Sequence, residues 1–64
     1  MRINRRKLEL AMANQGLNLM RLAEKAGISR ATLSYANNGK DCKPPFIANL
    51  AHALNVTPEY LAEE

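Results

Sequence analysis

The stretch from Asn18 to Gly39 constrains the fold more than any other part of this 64-residue chain. Its first half places apolar residues three and four positions apart, which is the pattern of one face of an α-helix. These residues are Leu19, Leu22, Ala23 and Ala26. Gly27 follows, and glycine readily adopts the left-handed conformation at which a helix ends. A second apolar pattern then begins at Ile28, so the stretch predicts two short helices joined by a tight turn.

The turn after Gly27 also contains the start of the next helix. Ser29 is a favourable N-cap, because its hydroxyl can accept a hydrogen bond from a backbone N–H in the first turn. This predicts a helix over residues 30–37. Two helices joined by so few residues must cross steeply, and the small side chains of Ala23 and Ala26 allow the close approach. Residues 18–39 are therefore predicted to form a helix-turn-helix unit.

Three further helices are predicted outside this unit. They are indicated by N-cap residues, by prolines in a first turn and by residues suited to a helix end. These residues are Asn4, Gly16, Pro44, Pro45, Asn55, Thr57 and Pro58. The chain lacks the alternating pattern of a β-strand, so we predict an all-α fold, a compact five-helix bundle forming a single domain over 1–64. Residues 1–3 are expected to be a disordered or loosely held arm.

Size and charge narrow the possible functions. A chain of this length buries only about 60% of its unfolded surface, which leaves no room for a deep catalytic cleft beside a core. The net charge is +3, but residues 1–43 carry all nine Lys and Arg side chains, and the charged residues of 44–64 are all acidic. This distribution gives the domain a positive end suited to a polyanion, although basic runs also occur on ordinary solvated surfaces.

Few residues suggest chemistry at a site. His52 is the only histidine and has no second potential ligand near it in sequence, so we expect no metal and place it on the surface or partly buried. Cys42 is the only cysteine, so it cannot form an intramolecular disulfide, and we expect it to be a spectator in a loop. The serines and threonines lack a recognisable catalytic base, and no phosphate-binding loop is present. We predict neither an enzyme nor a cofactor.

The outer face of the 30–37 helix is the remaining candidate site. With Leu33 directed inward, a rotation of 100° per residue places Ala31 and Tyr35 on the outside. Arg30 lies in the first turn and can extend beyond the helix end. In a major groove, arginine can bind guanine O6 and N7, and an alanine methyl can contact a thymine methyl. The same residues also suit a plain solvent-facing helix, so this face alone leaves both interpretations open.

Several motifs occur together between residues 8 and 61. They are Gly16-Leu17, the run from Leu22 to Ser29, Thr32-Leu33-Ser34, Asn38-Gly39-Lys40, the Pro44 turn and the run from Leu50 to Val56. Together they resemble the DNA-binding domain of phage repressors and Cro proteins, the XRE-like helix-turn-helix family. The resemblance implies a lambda-repressor-like architecture and a cytoplasmic protein of a bacterial or phage-infected cell.

The resemblance also implies which residues would contact double-stranded DNA. The family contacts bases, or bases and nearby backbone, at the positions of Ser29, Arg30, Ala31, Thr32 and Tyr35. Its phosphate contacts correspond to Asn18, Asn38, Lys40 and Lys43. Two departures stand out. Many relatives have a phosphate-binding glutamine where this chain has Leu19, and some have an arginine–glutamate pair where it has Met12 and Asn37, which suggests an apolar contact instead.

Two functions follow from this reasoning. The first is sequence-specific binding of DNA by a phage-like or bacterial transcriptional regulator, such as a repressor, with the 30–37 helix in the major groove. One such module contacts a half-site, so a homodimer on near-palindromic DNA is expected. Segment 55–64, with Val56, Tyr60 and Leu61, is the candidate for self-association. The alternative is a protein-interaction module, antitoxin-like or adaptor, using the exposed Leu19, Met20 and Tyr35.

Overall fold

The computed structural model describes residues 1–63 and contains five α-helices within that range. The helices are α1 (Arg5–Gln15), α2 (Leu19–Ala26), α3 (Arg30–Asn37), α4 (Pro44–Leu54) and α5 (Pro58–Leu61). Two short strands, β1 (Arg2–Ile3) and β2 (Ala62–Glu63), are paired antiparallel. The predicted all-α bundle of five helices is confirmed. None of these helices has the length and apolar character needed to cross a bilayer.

Side-chain caps explain why the helices begin where they do. Four helices start at a polar residue whose side chain accepts a hydrogen bond from the backbone N–H three positions later. These residues are Asn4, Asn18, Ser29 and Thr57. At the other end, α1 and α2 stop at Gly16 and Gly27, with φ of +66° and +72°. Asn55 ends α4 in the same left-handed conformation, with φ of +58°.

The helices enclose one aliphatic core. Its largest fully buried side chains are Ile3, Leu8, Leu22, Leu33, Ile47, Leu50, Leu54 and Leu61. Helix α4 supplies three of them and packs against both α2 and α5. Helix α3 packs against α2 and also contacts β1. The helix-turn-helix unit is therefore held against the rest of the bundle mainly through α2, which leaves the far side of α3 uncovered.

The prediction of a loosely held arm at residues 1–3 is wrong. Arg2 pairs with Glu63 and Ile3 with Ala62, and the N–H of Asn4 donates to the Leu61 carbonyl at 2.7 Å. Ile3 is only 2% exposed and belongs to the core. Residues 1–3 are therefore part of the folded domain, because β1 pairs with β2 and the burial of the Ile3 side chain stabilises the fold.

The proposed self-association segment, 55–64, is partly committed to the core. Leu61 is fully buried, and Val56 and Tyr60 are half-buried against the core, while Glu64 lies outside the described residues. The Tyr60 ring also faces the Lys7 ammonium, 5.4 Å from the ring centroid. Leu61 is thus not available to a partner, and the prediction is wrong for that residue.

Candidate nucleic-acid interface

Helix α2 is fixed at both ends. The Asn18 side-chain oxygen accepts from the Arg21 N–H at 2.8 Å, which begins the helix. At its other end the side-chain amide of Asn49, on α4, donates to the Ala26 carbonyl at 2.9 Å. This bond satisfies a carbonyl that has no partner within its own helix, so it ties the turn at Gly27 to helix α4.

Helix α3 presents one face to the core and the other to solvent. Leu33 and Ala36 are each 1% exposed, whereas Ala31 is exposed and Tyr35 is 57% exposed. Arg30 is also exposed, in the first turn. The orientation predicted from the helical period is therefore confirmed, and the residues proposed to contact bases project away from the bundle.

The hydroxyls of Ser29 and Thr32 form a small hydrogen-bonded unit at the start of α3. Ser29 Oγ accepts from the Thr32 N–H at 3.0 Å and lies 2.7 Å from Thr32 Oγ1. Each hydroxyl has one hydrogen, and the bond between them uses one of the two. Both residues are exposed, so this pair can offer a single O–H donor to an acceptor on a base or phosphate.

The four residues proposed for phosphate contact, Asn18, Asn38, Lys40 and Lys43, are all exposed. The side-chain oxygen of Asn18 is occupied by the cap, but its NH₂ group has no acceptor among residues 1–63 and can donate, which suits a phosphate. Within residues 1–63, the carboxylates of Glu9 and Glu24 pair with arginines of their own helices, and neither lysine lies within 4.0 Å of a carboxylate. Both ammonium groups are thus available to an external anion.

The loop that carries the lysines is anchored at its centre. Asp41 binds the α-amino group of Met1 at 2.6 Å, and this ammonium lowers the pKa of the Asp41 carboxyl. The next residue, Cys42, donates its backbone N–H to the Met1 carbonyl. The negative charge closest to the lysines in sequence is thereby compensated within the fold.

Cys42 is not the spectator that the sequence suggested. It is 8% exposed, belongs to the core and lies 3.4 Å from the Lys40 carbonyl through its sulfur. Burial, and then the charge of Asp41, raise the pKa of its thiol. The residue holds the loop between α3 and α4 against the bundle. A lone cysteine in a polar loop gives no sign of such burial, so pattern reasoning could not have found this role.

His52 and one small cavity are the remaining candidates for a metal or ligand site. His52 is exposed on α4, as predicted, and no group of three or more His, Cys, Asp or Glu suited to a metal occurs in residues 1–63. A small cavity of about 210 Å³ lies between α3 and the following loop, lined in part by Tyr35, Cys42 and Phe46. It is smaller than the pockets that usually hold ligands.

The two departures from the family occupy different environments. Leu19 is half-buried at the start of α2, and Met12 is buried in the core. Asn37 is half-buried, and its side-chain oxygen is shielded from solvent without a hydrogen-bond partner among the described residues. The predicted apolar contact between Met12 and Asn37 stays a prediction.

Comparison with known proteins places these features in a family. The sequence matches the helix-turn-helix domain family over residues 5–63. Two solved structures are similar over the whole chain: Phpd with cadmium, complexed with hydroethylphosphonate, and a mutant of hydroxyethylphosphonate dioxygenase. Each is 30% identical, with TM-scores of 0.83 and 0.84. The chain covers only 14% of either protein, so the similarity concerns one small part of each.

Proposed function

This chain belongs to the helix-turn-helix domain family, and we propose that it binds double-stranded DNA in a sequence-specific manner. The observation that carries the proposal is the exposed outer face of α3. Arg30, Ala31 and Tyr35 lie on it together, backed by the buried Leu33. A helix exposed along one side can enter the major groove, where arginine selects guanine and alanine contacts a thymine methyl.

Phosphate contacts made by the segments before α2 and after α3 would position α3 on the duplex. Asn18 precedes α2, whereas Asn38, Lys40 and Lys43 follow α3, so the two groups lie on opposite sides of the proposed recognition helix in the chain. Contacts of this kind fix register and orientation without selecting sequence. Ser29 and Thr32, with their one available O–H, would contact a base or the adjacent backbone.

We further propose that the domain serves a prokaryotic or phage transcriptional regulator and acts as a homodimer. A single helix-turn-helix contacts one half-site, and two copies related by a two-fold axis bind half-sites about one helical turn apart. A near-palindromic operator is the expected target. Useful affinity requires the second copy, because one small module buries little surface on DNA.

Selection of bound duplexes from a random pool tests the proposal directly. The expected result is a two-fold-symmetric consensus. Arg30→Ala should then cost about 1–3 kcal/mol in binding and relax preference at one base pair of each half-site, because the bidentate contact to guanine is lost. Arg6→Ala, which removes an exposed arginine of α1, is the matched control and should preserve the consensus. Unchanged affinity and preference in Arg30→Ala would refute the proposed docking.

A second candidate function is a protein-interaction module. Two observations favour it: the similarity to a small part of hydroxyethylphosphonate dioxygenase, and the exposure of Leu10, Met20 and Tyr35. In this role the helical domain would pack against another protein or domain. Salt separates the two functions, since counterion release makes duplex binding fall steeply with salt concentration. An apolar protein contact would depend on salt only weakly.

A further inference from the structure

Leu19 occupies an unusual place on the proposed DNA-binding side. It is the first residue of α2, directly after the cap Asn18, and it packs on the core while remaining half-exposed. Two shallow concavities meet at this side chain. One, of about 570 Å³, is lined by Met12, Asn18, Leu19, Met20 and Arg30. The other, of about 330 Å³, is lined by Leu19, Arg30, Ala31 and Ser34.

This surface combines apolar and polar side chains, and Leu19, Met20 and Ala31 are its apolar part. Leu19 lies between Asn18, a proposed phosphate contact, and the base-contact residues Arg30 and Ala31. Its side chain can neither donate nor accept a hydrogen bond, and the neighbouring Met20 is 45% exposed. A hydrated phosphate gains nothing from an aliphatic side chain. The partner that suits Leu19 is another apolar group within reach of Arg30.

In the major groove, the apolar group on a base edge is the 5-methyl of thymine. We propose that Leu19, with Met20 beside it, contacts thymine methyl groups next to the base pair contacted by Arg30, and that Leu19 is thereby a specificity-determining residue. This inference rests on the proposed DNA binding. The surface is continuous with the face of Arg30 and Ala31, and the positive charge of residues 1–43 favours a duplex as its occupant.

Replacing thymine by deoxyuridine tests this contact, because it removes only the methyl group. In the duplex selected from the random pool, each thymine is replaced singly and the affinity is measured. Wild-type protein should lose about three- to fivefold at one or two thymines next to the Arg30 base pair, which is the effect of burying one methyl group. In Leu19→Ala the ratio of affinities for thymine and uracil should fall close to one at the thymines that Leu19 contacts, whereas a thymine contacted by Ala31 should keep its penalty.

Each ratio compares two duplexes with the same protein, so a variant that is partly unfolded still gives a valid result. Leu10→Ala, an exposed leucine of α1 that lines neither concavity, is the control and should keep the wild-type ratio. Equal binding of thymine and uracil duplexes by wild type at every position, or penalties that are the same at every thymine in Leu19→Ala as in wild type, would overturn the inference while leaving DNA binding intact. Wild-type protein that binds no duplex at all would refute DNA binding and the inference together, and it would do so before any substitution is made.

Discussion

At the scale of single residues, Ser29 links the stability of α3 to the surface proposed for DNA. Its side chain accepts the Thr32 N–H and also pairs with the Thr32 hydroxyl. Ser29 Oγ therefore both caps the helix and limits the O–H donors that the helix can offer a base. A substitution at Ser29 should consequently affect both folding and binding.

Ser29→Ala is expected to lower the free energy of unfolding by about 1 kcal/mol, the usual effect of losing an N-cap side chain. Urea denaturation measures this change. Ser34→Ala, in the interior of the same helix, is the control and should raise stability by only a few tenths of a kcal/mol, because alanine is a better helix former than serine. Equal losses in the two variants would mean that the Ser29 cap contributes little.

Cys42 gives a prediction about pH. Burial raises the pKa of its thiol in the folded state, so the folded protein holds this proton more tightly than the unfolded chain does. The protonated thiol therefore makes its full contribution to the free energy of unfolding below the ordinary thiol pKa. This contribution is lost as pH rises through the raised pKa. The reactive thiolate is also depleted. Iodoacetamide should therefore alkylate the folded protein much more slowly than the urea-unfolded protein at mildly alkaline pH, and similar rates would contradict the burial.

At the scale of elements, the five helices could be predicted because their signals are local. Asn18, Gly27 and Ser29 mark ends through interactions within three or four residues, and the apolar spacing of α2 and α4 identifies their buried faces. Strand β1 depends instead on β2, about 60 residues away in the sequence, and two residues are too few to show alternation. The burial of Cys42 likewise depends on contacts between distant segments.

Ile3→Ala tests whether β1 is a structural element. The Ile3 side chain is almost fully buried, so its truncation should lower the free energy of unfolding by about 2–4 kcal/mol through lost burial and a residual cavity. Leu10→Ala removes a comparable side chain from an exposed position of α1 and should cost well under 1 kcal/mol. If both variants unfolded at the same urea concentration as wild type, the N-terminal segment would not be part of the cooperative core.

At the scale of the whole molecule, the basic side chains occupy more than one region of the surface. The lysines that follow α3 are free of carboxylate partners within residues 1–63, while the charged side chains of the segment after residue 43 are acidic. Arg2 and Lys7 lie beside that acidic segment, since Arg2 pairs with Glu63 and the Lys7 ammonium faces the Tyr60 ring. The loop after α3 is the positively charged surface next to the proposed recognition helix, and it would attract a duplex to that side before any base is contacted.

The salt dependence of duplex binding measures how much the loop after α3 contributes to this attraction. Each phosphate neutralised contributes a slope of about −0.9 to the plot of log affinity against log salt concentration. Lys43→Gln should therefore weaken binding to all sequences alike and reduce the magnitude of the slope by about 1 for each bound copy, or about 2 for a dimer. Lys25→Gln, at the end of α2, removes the same charge from an exposed site outside the proposed interface and should leave the slope nearly unchanged. A slope insensitive to Lys43 would mean that the loop after α3 does not contact the backbone. A slope equally sensitive to Lys25 would mean that the attraction is spread over the exposed basic side chains in general.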